Sequence, residues 1–470
     1  MRLHEIIRII SDNLYVGIAG VIAIGIILFI GYFVIYRKLL KGNRRFTRKQ
    51  LLVGGLLIVY IIMVLGVTLL NRVPIHRRMI NLHFLSSYRE AWNNFSIRHW
   101  QFVILNIVMF LPLGIILPIL HSNFRKTRWT IGAGLMFTMS IESLQLMTSR
   151  GSFVLDDMFN NVLGVIIGYG IIMGILTLLI AQKKKVVKVL AYFSPLLIVI
   201  IIFIGIFTVY NLQEFGNLSI SPSHRINMKN TQVTLNVELD DEKLSQPIYQ
   251  APVYTKESAK DFVIEFFQKL DIDTSNLEVD AYSDNAIFWV RGNPSYNLWV
   301  NYMDGSYSYA DFSGYDEYME HMDAQEEVLV EILGEYGIQI HEGARFNKRD
   351  IGSYDWTVEE NIIDNQLIDG YLYAEHFNDG TIKQIRNNLI VYNKIRSVPI
   401  KSEIEAYQEI LNGKFSVFYS GNNMGAIIIN GVKLGYHLDS KGFYQPVYLF
   451  RCIIDGLEST IIIPALLREH

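Results

Sequence analysis

A single cysteine, Cys452, occurs in the 470 residues. No internal disulfide or multi-cysteine metal site can form, and the redox state of the compartment leaves no mark on the chain. Acidic residues are scarce over the first 210 positions, where Glu5, Asp12, Glu90, Glu142, Asp156 and Asp157 stand against 22 Lys and Arg. The rest of the chain reverses that balance, with 39 acidic side chains against 20 basic ones. The net charge of −3 therefore conceals a basic half joined to an acidic half. That excludes a single soluble globule and argues against nucleic-acid binding by the second half. Phosphate-binding glycine loops, Gly-x-Ser-x-Gly elbows and dinucleotide fingerprints are also missing, so no catalytic residue and no cofactor is expected. His83, His99 and His121 each stand alone, without a second ligand at metal spacing, and no metal site is expected.

Long apolar runs are what the sequence has in quantity, with 51% of its residues hydrophobic. Six stretches, 14–36, 51–70, 102–120, 130–147, 153–180 and 190–210, are long enough to cross ~30 Å of hydrocarbon at ~1.5 Å per residue. The first is too long for a secretory signal, lacks a small-residue cleavage pattern and runs into a basic cluster that reads as stop-transfer, so it is expected to stay. Short loops after the first, third and fifth stretches hold 14 Lys and Arg. Five basic residues lie in the longer 71–101 connection and one, Arg150, follows the fourth stretch. Because Lys and Arg resist translocation, the basic loops are expected in the cytoplasm, with the N-terminus and residues 211–470 outside. The expected location is a multi-pass protein of the cell membrane.

Beyond residue 210 the pattern predicts an α+β fold. Helical spacing marks 256–270, 323–336 and 401–411, and each run is followed by alternating, turn-bounded segments that read as strands. These include 285–300, 367–374 and 381–388 with Asn378-Asp379-Gly380 as a hairpin turn, and 426–429, 431–437, 447–454 and 460–464. The order suggests repeated helix-then-antiparallel-sheet units. The expected division is a transmembrane all-α bundle over 1–210, a tether over 211–247 with one strand at 231–238, and an extracytoplasmic α+β domain over 248–470.

Polar side chains at membrane depth are costly, so they are functional candidates by default. They are Asn106, Glu142, Gln145, Asp157, Asn160 and Asn161, with Arg150 and Asp156 at the intervening turn. Glu142 and Gln145 are three apart and Asp157 and Asn161 four apart, so each pair shares a helix face. In the expected topology all fall in the outer-leaflet half. A purely structural reading stands beside this one: the same groups would be an interhelical hydrogen-bond network, Gly164 and Gly168 small-xxx-small packing points, and Pro112-Leu113-Gly114 a kink and close-packing site.

Asn106-Ile-Val-Met-Phe-Leu-Pro112-Leu-Gly114, Glu142-Ser-Leu-Gln145, Arg150 and Asp156-Asp157-Met-Phe-Asn160-Asn161-Val-Leu-Gly164 together resemble the VanZ-like membrane family, over a core of 81–170. Asn81-Leu82-His83-Phe84 stands where that family has Asn-Leu-x-Pro-Phe, without the proline. The resemblance implies an integral membrane protein of a Gram-positive envelope, associated with resistance to teicoplanin-type lipoglycopeptides. Leu434-Gly-Tyr-His-Leu-Asp439, Gly442 to Phe450 and Ile461 to Ala465 resemble the ends of extracytoplasmic PepSY or YcdB-type modules, which implies a non-catalytic outer domain. The expected function is non-enzymatic binding of an amphiphile, either a membrane lipid headgroup or a lipoglycopeptide tail, at an outward-facing notch around Glu142 and Asp157. Its rivals are carboxylate acid–base chemistry on a lipid-linked substrate, and a scaffold whose outer domain recognises a cell-wall or protein partner.

The charge asymmetry makes a direct prediction. Cysteines introduced at exposed positions of 211–470 should react with a membrane-impermeant thiol reagent added to intact, wall-digested cells, and protection of that whole half would reverse the topology.

Overall fold

The computed structural model describes residues 38, 47–70, 72, 74, 80–179, 186–282, 284–313, 319–416 and 424–467. The expected first span, 14–36, and the lysines at 183–185 lie outside them. Two units separate: Met1–Ala91 with Ile97–Glu214, and Trp92–Ser96 with Phe215–His470.

In the first unit the apolar runs form helices α1 (Arg48–Leu65), α3 (Ile97–Leu120), α4 (Thr127–Thr148), α5 (Leu155–Leu179) and α6 (Val186–Leu212), with the short polar helix α2 (Ser86–Asn94) ahead of α3, its last three residues belonging to the second unit. Thr47 and Gln50 close a reciprocal capping box at the start of α1, satisfying donors that a helix N-terminus leaves open. A π-helical turn, Gly66–Leu70, extends α1. Two short strands, β1 (Ile80–Asn81) and β2 (Phe153–Val154), pair in parallel just before α2 and α5.

Among the described residues four helical stretches are long and apolar enough to span a membrane: Arg48–Leu69, Ile97–Leu120, Leu155–Leu179 and Val186–Leu212. Of the six expected spans, these four stand among the described residues, and 14–36 lies outside them. The expected span 130–147 is helical, as α4, but falls short in apolarity because its inner face is polar. Thr130, Gly134, Thr138, Ile141, Glu142 and Gln145 are its buried residues, and they recur at three- and four-residue intervals.

Lipid tails are as apolar as leucine, so membrane helices associate through close packing and polar contacts. Helix α5 supplies that packing from its glycines. A Cβ on Gly164 would lie 2.0 Å from the carbonyl oxygen of Ile107, and one on Gly168 would lie 2.0 Å from that of Leu111. From α3, a Cβ on Gly114 would lie 2.2 Å from the carbonyl oxygen of Val165. The expected small-xxx-small contact is therefore present, backbone against backbone, between α3 and α5. Gly134 of α4 lies against the Val165 side chain, and Gly170 lies under the carbonyl of Tyr192 on α6. Helix α5 is thus the shared partner of α3, α4 and α6, whereas Tyr210 is the one residue buried on α6.

The second unit follows its hydrophobic alternation. Helices α7 (Lys256–Lys269), α8 (Glu326–Glu335) and α9 (Glu403–Leu411) fall where helical spacing predicts them. Capping boxes at Thr255/Ser258 and Ser402/Glu405 open α7 and α9. The strands are β3 (Gln232–Leu235), β4 (Ser245–Gln250), β5 (Glu278–Ala281), β6 (Asn285–Val290), β7 (Tyr296–Asn301), β8 (Tyr307–Asp311), β9 (Arg345–Asp350), β10 (Ser353–Ile363), β11 (Gln366–His376), β12 (Ile382–Asn387), β13 (Ile390–Pro399), β14 (Ala426–Leu438), β15 (Phe443–Ile454) and β16 (Leu457–Pro464). They hydrogen-bond in the order β3-β14-β15-β4-β13-β11-β12-β8-β7-β6-β5, with β10 and β9 branching from β11, and β16 from β15.

This connectivity corrects the expectation of repeated units. Strand β8 pairs with β12, and α7 and α8 pack into one core with Phe288, Leu298, Tyr309, Trp356 and Ile385, so the first two helix-then-strand runs form one sheet and one core. The third run has its own core, around Ile410, Ile427, Phe450 and Ile461. The stretch 211–247, expected to hold one strand, contains β3 and the beginning of β4, which links the two cores by pairing with both β13 and β15.

Gly168→Val should lower the thermal unfolding midpoint of the detergent-purified protein by several degrees, because its added carbons must displace the Leu111 carbonyl. Gly55→Val, with nothing within 4 Å of the new Cβ, should leave the midpoint nearly unchanged.

Candidate functional site

The polar residues predicted at membrane depth converge on one end of the bundle, where α4 ends, α5 begins, and β1 and β2 lie side by side. Two consecutive aspartates open α5, a position where the helix dipole favours negative charge. Consecutive residues on a helix point about 100° apart, so the two carboxylates serve different neighbours.

Asp156 turns to the loop and α2. Its Oδ1 accepts from the Leu85 amide at 2.7 Å, and its Oδ2 accepts from the Ser87 amide at 2.8 Å and from Ser86 Oγ at 3.2 Å. A fully buried carboxylate on one helix thereby caps the N-terminus of another. One turn along, Asn160 Oδ1 accepts from the Tyr88 hydroxyl, which fixes the same short helix a second time. Asn81 joins this group, as its Nδ2 donates to Ser86 Oγ at 3.0 Å.

Asp157 turns to α3, where Asn106 Nδ2 donates to its Oδ1 at 2.6 Å. One turn along, Asn161 Nδ2 donates to Thr138 Oγ1 of α4 at 2.8 Å. Glu142, one turn after Thr138, accepts from the Val154 amide at 3.3 Å through Oε2. Glu142 and Asp157 are near enough to repel one another, and both feel the opposite charge of Arg72.

Gln145 and Arg150 do a third job. Gln145 Nε2 donates to the Thr68 carbonyl and Arg150 Nη1 to the Leu69 carbonyl, each at 3.0 Å. These carbonyls belong to the π turn that ends α1, where a helix leaves acceptors without intrahelical donors.

All eight predicted residues thus meet in this region, divided among three tasks. Asp156 and Asn160 hold α2, Gln145 and Arg150 finish α1, and Asn106, Asp157, Asn161 and Glu142 lie between α3, α4 and α5. Two buried polar atoms of the set find no partner among the described residues: Asn160 Nδ2 and Asn161 Oδ1. Sequence reasoning missed the partners Thr68, Ser86, Ser87, Tyr88 and Thr138, and counted Arg72 only as loop charge. The short Asn81 to Ser86 spacing ahead of a helix was the one available signal for the α2 cap.

Residues 56–182 match the model of the VanZ/LLP1 family. The match takes in every predicted site residue and lies wholly in the membrane half, so it does not bear on the PepSY-type resemblance of the other half. No curated protein matches the chain. Among solved structures, the chain is similar to an uncharacterized protein from Eubacterium rectale at 12% identity, over 51% of this chain and 90% of that chain, with a TM-score of 0.22.

The division of the two aspartates is testable by hydrogen exchange on the purified protein. Asp156→Asn should speed exchange of the Leu85 and Ser87 amides on the order of tenfold by removing a charged acceptor, while Asp157→Asn should leave them as they are.

Proposed function

We propose that the chain is a non-enzymatic, multi-pass envelope protein whose polar site binds the polar part of an amphiphile. The observation that carries this reading is the acceptor-rich group of Glu142, Asp157 and Asn161, with the Asn161 carbonyl buried and without a partner among the described residues. A network serving packing alone has no use for an unmatched buried acceptor, since a buried unsatisfied polar group costs about 1–3 kcal/mol. A headgroup or glycopeptide bearing hydrogen-bond donors would satisfy all three. The VanZ/LLP1 match over 56–182 supports an envelope setting and, within it, a role in tolerance of lipoglycopeptides of the teicoplanin type in a Gram-positive cell.

The reading places six spans in the membrane, 14–36 and α4 included, with the second unit outside the cell. Hydrogen bonds within that unit support the sidedness. Asn217 Nδ2 donates to the Trp92 carbonyl at 2.7 Å and Asn93 Nδ2 to the Ser221 carbonyl at 2.8 Å. Residues that follow the last span therefore touch the 71–101 connection, which the positive-inside rule also assigns to the outer side.

Glu142→Gln and Asp157→Asn keep shape and most hydrogen bonding while removing charge. Both variants should accumulate to near wild-type abundance and lose most of the protein's effect on lipoglycopeptide tolerance, measured as the minimum inhibitory concentration in a deletion strain carrying each allele. Full tolerance with both variants would return the cluster to a structural role.

A further inference from the structure

We propose that the second unit carries a glycan-binding groove on the face of its sheet opposite α7 and α8. The strand registers define that face. Trp299 of β7 lies opposite Ser308 of β8, Ser308 opposite Arg386 of β12, and Arg386 opposite Tyr373 of β11. Their neighbours Leu298, Tyr309, Ile385 and Leu372 point the other way, into the core shared by the two helices. The same alternation puts Ala310, two residues after Ser308, on the open face.

Ser308 and Ala310 are small, so they form a shallow floor between taller walls. One wall is Trp299, 46% exposed and stacked on Tyr282 with the ring planes 11° apart. Backed in this way, the indole presents its other flat side to solvent. The opposite wall is Arg386, exposed, with its guanidinium 5.7 Å from the centroid of the Tyr373 ring. No carboxylate among the described residues pairs with it, unlike Arg349 on the same sheet, which is bound to Asp355 at 2.7 Å. At ~4.8 Å per strand the two walls are roughly 10 Å apart, the reach of two linked sugar rings.

Three features select the occupant. Strands β8 and β12 are interior and have hydrogen-bonded neighbours on both sides, so a peptide cannot add as another strand and meets side chains only. A flat, exposed indole beside planar hydrogen-bonding groups suits the apolar face of a pyranose ring. The half is strongly acidic, with 39 acidic residues against 20 basic, and repels a dense polyanion, while a guanidinium without a carboxylate partner among the described residues matches an isolated carboxylate. The groove thus takes a glycan strand that is neutral apart from an occasional carboxylate, with a ring on Trp299 and the carboxylate on Arg386.

Full-length protein in detergent would be titrated calorimetrically with two probes: chitohexaose, which is neutral, and peptidoglycan glycan fragments released by a muramidase and stripped of stem peptide by an N-acetylmuramoyl-L-alanine amidase, which frees their lactyl carboxylates. Wild type should bind both, the fragments at least fivefold more tightly. Trp299→Ala should weaken both at least tenfold and Trp299→Phe, which keeps a ring, far less, while Arg386→Gln should abolish only the preference for the fragments. The proposal fails if wild type binds neither probe saturably, if Trp299→Ala binds as wild type does, or if sugar-free stem peptide competes as well as the fragments.

Discussion

Everything at the polar end of the bundle depends on how closely α3 and α5 approach. Gly164 and Gly168 of α5 meet the carbonyls of Ile107 and Leu111 where any side chain would collide. Hydrocarbon gives two apolar helices little reason to associate, so dispersion between tightly fitted backbones must hold them. With the backbones in contact, short side chains suffice to bridge them. Asn106, one residue before Ile107, reaches Asp157 directly. Wider spacing would require longer, more flexible residues or intervening water at the same point.

The Asp-Asp-x-x-Asn-Asn stretch shows how one helical turn can carry two functions without mixing them. Residues 156 and 160 face the short helix α2, and residues 157 and 161 face α3 and α4. The acceptors of the first pair are filled, Asp156 three times and Asn160 Oδ1 once, as befits a cap that must hold a helix too short to persist by its own propensity, although Asn160 Nδ2 finds no partner among the described residues. The second pair is under-satisfied and close to another carboxylate. An unfilled acceptor, rather than burial, distinguishes the groups available to a donor-bearing ligand from those committed to architecture.

Much of this was legible in the sequence, for identifiable reasons. Polar residues inside apolar runs stand out because charge in hydrocarbon is expensive, and all eight lie at one end of the bundle. Their partners Thr68, Ser86, Ser87 and Thr138 gave no signal, since Ser and Thr are cheap in membrane helices. Thr68 even bonds back to the Val64 carbonyl within its own helix. The helices of the second unit were legible through their caps and spacing. Strand β14 read as two strands because a register shift between Ile429 and Gly431 interrupts its alternation. Strand β9 carries Arg345, Lys348, Arg349 and Asp350, a composition that reads as loop, and β4 contains Pro247, which argues against a paired strand until its two neighbours are seen. Helix α4 was legible as a helix with Glu142 and Gln145 on one face, while the Thr130 and Thr138 part of its polar inner stripe shows only once its partners are known.

The position of β4 also sets an order of events in synthesis. Strands β3 and β4 leave the ribosome immediately after the last membrane helix, yet their partners β13, β14 and β15 come from the end of the chain. Until those arrive, two strand edges stay open and the second core cannot close. The α7–α8 core needs none of them and can form first. The domain should therefore mature from its middle outward, and chains stalled or truncated before β15 would expose unpaired edges, marking them for quality-control proteolysis.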